Sequence, residues 1–151
     1  ERLIKTRGPF DLVIILAGIA DIVHGLKAEG VFKLHEACHR LSTKTIAVSV
    51  TPTWHDLPDC IPKAVQEDMV RFEASQKFVS PETIATLKSE LNHHLCDLAT
   101  SASDSKSGAC CISFVDTAPL IPCGVEWRHN WETADWLHLT SEGYQQLGRG
   151  M

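Results

Sequence analysis

The sequence predicts an α/β domain built on a parallel sheet. Three observations carry this. First, Phe10–Ala17 (FDLVIILA) is a continuous apolar run rich in Val and Ile, and Thr45–Val50 (TIAVSV) and Cys111–Val115 (CISFV) read as two further strands. A continuous apolar run suits a strand inside a sheet covered on both faces. Second, the segments between them carry apolar residues at helical spacing. Third, the connections are long enough for the crossovers that parallel strands require.

In chain order, Glu1–Arg7 reads as a helix tail closed by the stop Gly8-Pro9. Strand Phe10–Ala17 follows, expected to be buried on both faces. Val31, Leu34, Cys38 and Leu41 then mark a helix over Val31–Leu41. After strand Thr45–Val50, helices are predicted over Ala64–Phe72 and Pro81–Leu98. Ser80 caps the second of these, with Pro81 in its first turn. Ser101–Gly108 (SASDSKSG) reads as a polar loop before strand Cys111–Val115. A last helix, Ser141–Leu147, has Thr140 as its cap. Three strands make a thin sheet, and an open first edge is hard to tolerate, so exposed apolar surface is expected beside Phe10–Ala17, where a front segment would pack. No internal repeat and no linker divides the chain, so residues 1–151 are expected to form a single domain.

Composition narrows the function classes. A 44% hydrophobic and 22% charged content is that of a globular chain. A net charge of −5 without a long basic run argues against nucleic acid or an anionic membrane as partner. The apolar stretch Leu12–Ala20, bounded by Asp11 and Asp21, is too short to span a bilayer. No segment reads as a signal peptide, but the first residue is Glu1, so the compartment stays unassigned. The six cysteines, Cys38, Cys60, Cys96, Cys110, Cys111 and Cys123, contain no CxxC pair and are expected to be free thiols.

In a parallel α/β fold, chemistry gathers at the carboxyl ends of strands. Three places qualify: Ala17–Asp21, Thr51–His55, and the loop from Asp116 to His138. In the third, Asp135-Trp136-Leu137-His138 precedes a helix start. A catalytic His needs a carboxylate on one ring nitrogen to fix its tautomer and stabilise the imidazolium. A three-residue spacing within a turn lets one loop supply both groups.

Two strings carry a family resemblance. The first, Pro9-Phe10-Asp11-Leu12-Val13-Ile14-Ile15-Leu16-Ala17-Gly18-Ile19-Ala20-Asp21, resembles the third block of the SGNH/GDSL hydrolases, an apolar strand running into G-x-N-D. The second, Asp135-Trp136-Leu137-His138-Leu139-Thr140-Ser141-Glu142-Gly143-Tyr144, resembles their last block, D-x-x-H-L followed by a helix with Gly-Tyr. Their order and separation fit, as does a middle strand ending in Thr51-Pro52, and the resemblance spans Gly8 to Gly148. It implies a serine esterase or lipase with a three-layer, flavodoxin-like fold and a small-molecule ester substrate. His138 is then the general base and Asp135 its partner. Gly18 and Asp21 match the G and D of the third block. No cofactor or metal is implied.

Two departures from the family pattern matter. No G-D-S nucleophile motif occurs, and no first or second strand precedes Gly8. The expected front segment is on the order of 60 residues, two βα units of ~30 each. Ala20 stands where the family has its oxyanion Asn, and loss of one such donor costs about 10²–10³ in rate. The chain alone is therefore expected to lack esterase activity. A non-catalytic descendant that binds a ligand or partner through the same strand ends is the alternative.

Other motifs compete. His35-Glu36-Ala37-Cys38-His39 is a literal H-E-x-x-H, the zinc-peptidase pattern with Glu36 as base. No third ligand follows at the usual separation, and Ser42 stands where the extended form has Gly. A surface helix with His35 and His39 on its flank is the expectation. His93-His94 are expected to be solvated. Cys123 is expected to be a plain loop thiol. Trp127, Trp131 and Trp136 either line an acyl pocket or pack the loop around His138.

Overall fold

In the computed structural model, residues 10–40, 44–57, 61–104, 111–121 and 124–151 are described. Among these residues three strands and five α-helices follow in the order β1 (Val13–Leu16), α1 (Ile19–Val23), α2 (Glu29–Arg40), β2 (Lys44–Val48), α3 (Lys63–Gln76), α4 (Pro81–Asp104), β3 (Cys111–Val115) and α5 (Ser141–Gly150). Short 3-10 helices lie at Trp54–Asp56 and Val125–Asn130. The chain groups into two compact units, Glu1–Val50 with Glu82–Val115, and Thr51–Pro81 with Asp116–Met151. The expected tail Glu1–Arg7 and its Gly8-Pro9 stop fall outside the described residues.

The first unit holds the sheet. The order is β1-β2-β3 and both pairings are parallel, as the long crossovers require. Register aligns Val13 with Thr45 and Ile112, and Ile14 with Ile46 and Ser113. One face therefore carries Ile15, Thr45, Ala47 and Ile112, all buried. The other carries Leu12, Ile14 and Leu16, which are 47%, 49% and 39% exposed. Burial on both faces therefore fails for β1, while the exposed apolar surface expected beside this strand is present. Among the described residues this strand is an edge, paired to β2 over four residues. An apolar run reports that a strand prefers burial, not that the neighbouring layer is present.

Around the sheet, α2 packs against β2. Its buried side is Val31, His35, Ala37 and Cys38, with Leu34 only half-buried. His35 is therefore a core residue and not a flank residue, a correction to the surface-helix reading. The reason is phase: His35 lies four residues after Val31 and three before Cys38, on the same stripe. Helix α4 buries Ile84, Leu91, Leu95 and Ala99 at spacings of seven and four. It runs through Asp104, so Ser101–Asp104 is helical where a loop was expected. Those four residues include neither Gly nor Pro, and nothing in them stops a helix. The remainder of the expected loop, 105–108, lies outside the described residues. His93 is exposed, as expected, and pairs with Asp97 at 3.3 Å.

The second unit has its own core, in which Trp54, Leu57, Ile121, Trp131, Trp136 and Leu147 are buried together. Helix α5 begins as read from sequence: Thr140 Oγ1 accepts the Gly143 N–H at 3.2 Å, a side-chain cap for an otherwise orphaned donor. Gly143 is required by close approach. A Cβ there would drive into the backbone carbonyl of Asn130 and press on Leu139. Asn130 cannot retreat, because its carbonyl also accepts the Thr140 N–H at 2.9 Å. We expect Gly143→Ala to destabilise the protein by about 2 kcal/mol. Thermal unfolding followed by circular dichroism should show Tm lower by roughly 4–8 °C.

Candidate active site

The loop that carries the Asp-x-x-His motif is closed on itself. Trp131 and Leu139 form an antiparallel bridge. The Glu132 N–H donates to the His138 carbonyl at 2.9 Å, and the Trp136 N–H to the Glu132 carbonyl at 2.9 Å. Trp131 anchors the base of the loop: it is 1% exposed and its indole N–H donates to the Pro52 carbonyl at 3.3 Å. Trp131 and Trp136 both belong to the core, which decides between the two sequence readings of these residues in favour of loop packing. Trp127 is half-buried, with its ring centroid 6.0 Å from that of His129. Cys123 lies outside the described residues.

Within this frame Asp135 uses both carboxylate oxygens. Oδ1 accepts the backbone N–H groups of Leu137 at 2.9 Å and His138 at 3.1 Å. Oδ2 stands 2.6 Å from His138 Nδ1. Partial burial pushes the Asp135 carboxyl up, but the hydrogen bonds from the His138 ring and the two backbone N–H groups outweigh it. The net pKa lies below the ordinary carboxylate value. An ionised carboxylate only accepts, so Nδ1 must carry the proton it donates. In the neutral ring Nε2 then keeps the lone pair, the tautomer in which an imidazole accepts a proton. The His138 side chain is 62% exposed and that of Asp135 26%, so the imidazole reaches solvent while its partner is sheltered.

The other sequence-selected positions sit in the first unit. Gly18 caps α1 with φ 113° in the left-handed region, where glycine is favoured. A Cβ on it would lie 2.5 Å from Leu91 Cδ2. Both constraints account for the Gly of that block. Ala20 is exposed and Asp21 half-buried in the first turn of α1.

The segment Thr51–His55 holds a pair that sequence reading missed. His55 Nε2 lies 3.0 Å from Glu73 Oε1, and the Trp54 indole N–H donates to the same oxygen. Both side chains of the pair are 12% exposed. No local spacing announces it, because Glu73 comes from α3, one helix later. Unlike this sheltered pair, the couple at Asp135 and His138 presents its imidazole to solvent.

In the H-E-x-x-H segment, His35 is 1% exposed and neither ring nitrogen has a hydrogen-bond partner among the described residues. Burial pushes its pKa down to about 4, and burial also lowers that of His39. Among the described residues no group of three or more His, Cys, Asp or Glu side chains is placed to hold a metal ion. No helix among them is long and apolar enough to cross a membrane. Comparison of the chain with protein-family models, curated proteins and solved structures gave no match.

Proposed function

We propose that this chain carries the acid–base part of an SGNH-hydrolase-type esterase, with Asp135 and His138 as its couple. The observation that carries the reading is the 2.6 Å contact from Asp135 Oδ2 to His138 Nδ1, with Nε2 left as the basic nitrogen of an exposed ring. In the reaction, His138 Nε2 takes the proton of a serine hydroxyl as that oxygen attacks the ester carbonyl. Asp135 stabilises the imidazolium that forms. His138 then returns the proton to the departing alkoxide, leaving an acyl-serine that water cleaves by the same two steps.

The serine is expected from a G-D-S segment upstream of Gly8, the motif that residues 1–151 do not contain. The apolar, uncovered side chains of Leu12, Ile14 and Leu16 on the edge strand β1 support this. Such a surface suits the packing of further sheet and helix, and the three-layer flavodoxin-like fold belongs to the same proposal. The substrate class is a small carboxylic ester.

The test is hydrolysis of a short-chain aryl ester. The 151-residue chain is expected to turn over no faster than free imidazole, since general-base catalysis alone is worth about 10²–10⁴-fold. The protein extended by a G-D-S segment is expected to be active and to lose turnover on His138→Ala. Equal activity of the extended protein and its His138→Ala variant overturns the reading.

A further inference from the structure

One residue of the couple's loop sits in backbone that its type disfavours. Trp136 has φ 52°, one of two described non-glycine residues with positive φ. The left-handed region costs a non-glycine residue about 1–2 kcal/mol. Strain of this kind persists only where its surroundings impose it. Here the surroundings are visible: Trp136 is 4% exposed, inside the core with Trp131 and Leu139. Its indole N–H is buried without an acceptor among the described residues, a second cost. Two unfavourable features at one position, between the two members of the couple, call for a compensating role.

The backbone supplies that role. The Trp136 N–H closes a single helical turn onto the Glu132 carbonyl. A left-handed residue directly after such a turn reverses the chain, as it does at the end of a helix. The next two N–H groups, of Leu137 and His138, then point back at Asp135 Oδ1. That leaves Oδ2 facing His138 Nδ1. A right-handed or extended residue at 136 would carry Leu137 onward and break the convergence.

We propose that Trp136 is a positioning residue: its left-handed backbone, held by the buried indole, aims both Asp135 oxygens and so sets the Asp135–His138 couple. Its value for catalysis rests on the esterase reading, but the positioning itself is measurable without turnover.

The experiment compares Trp136→Val and Trp136→Gly in the 151-residue chain. Val keeps apolar bulk in the core but, being β-branched, is a severe outlier at positive φ. Gly removes the whole side chain yet enters the left-handed region freely. Two NMR readouts follow the couple: the Asp135 carboxyl titration by ¹³C, and the His138 ring tautomer by ¹⁵N. Urea unfolding measures global stability in parallel.

The expected result is a crossed ranking. Gly loses more stability but keeps the lowered Asp135 titration and the Nδ1–H tautomer. Val keeps more stability but loses both, with Asp135 returning to the ordinary carboxylate range. If Gly does not fold, Trp136→Asn, which also tolerates left-handed backbone, takes its place. The proposal is overturned if Val behaves as wild type, or if the left-handed-tolerant variant loses the couple as fully as Val. In the second case Trp136 acts through packing alone. An intact ranking, together with equal ester turnover by the upstream-extended protein and its His138→Ala variant, would sink the esterase reading and leave the positioning role standing.

Discussion

In a protein extended upstream by a G-D-S segment, Ala20→Asn should raise kcat by roughly 10²-fold or more, with little change in KM. Under the proposed SGNH-type reading, this position belongs to an Asn that is one donor of the oxyanion hole. Its hydrogen bond strengthens as negative charge develops on the carbonyl oxygen, so its contribution falls on the transition state and not on ground-state binding. Ala20 offers no side-chain donor. Its site can accept one: Ala20 is exposed, in the first turn of α1 behind the left-handed Gly18 cap, and an Asn there displaces no core atom. Folding stability should therefore be unchanged, which separates this variant from a general repair. His138→Ala serves as the blank. No gain from Ala20→Asn, with turnover still lost in His138→Ala, would show that Ala20 does not occupy the oxyanion position.

The second large effect concerns acid. His35 is buried and neutral, with its pKa pushed down to about 4 by burial against an ordinary 6.5. The unfolded chain binds that proton near pH 6.5, while the folded protein resists it until about pH 4. Stability from this site is fully present above pH 6.5 and falls as the pH drops toward 4. The whole loss is about 3 kcal/mol, a large share of the 5–15 kcal/mol that holds a typical domain. His39, also lowered by burial, adds in the same direction. We expect His35→Leu to unfold at higher urea than the parent at neutral pH, because it removes two buried unpaired nitrogens. It should also lose much less stability between pH 7.5 and pH 4. A parent and variant with parallel pH profiles would show that His35 is not the acid-labile group.

His35 also shows where sequence reading fell short. An H-E-x-x-H string draws attention to its ligand chemistry, while the burial of each His depends on which helix stripe meets the sheet. Val31 and Cys38 mark that stripe, and His35 falls between them. What was legible was local: the parallel strands, the Thr140 cap, and an Asp and His three residues apart in one turn. The His55–Glu73 pair was not legible, since it depends on how α3 packs against the Thr51–His55 segment. The open side of β1 was legible in part: a thin sheet that begins with an apolar run should leave apolar surface beside that run, and Leu12, Ile14 and Leu16 are exposed there. The left-handed backbone at Trp136 was hidden, as Trp carries no preference for it.

The interleaving of the two compact units has a consequence for how the chain is made. Each unit draws on two stretches separated in sequence: 1–50 with 82–115, and 51–81 with 116–151. A ribosome emitting the chain from its N-terminus completes neither from a continuous piece. Trp54 and Leu57 emerge long before Trp131 and Leu147, the partners that bury them. Until α5 has left the exit tunnel, those side chains stay without their core, and β2 waits for β3 across more than sixty residues. Such non-local closure is slow and leaves apolar surface open in the interval. Burial of Trp54 and Leu57, and closure of the core beside the loop that holds Asp135 and His138, therefore wait on residues made at least sixty positions later.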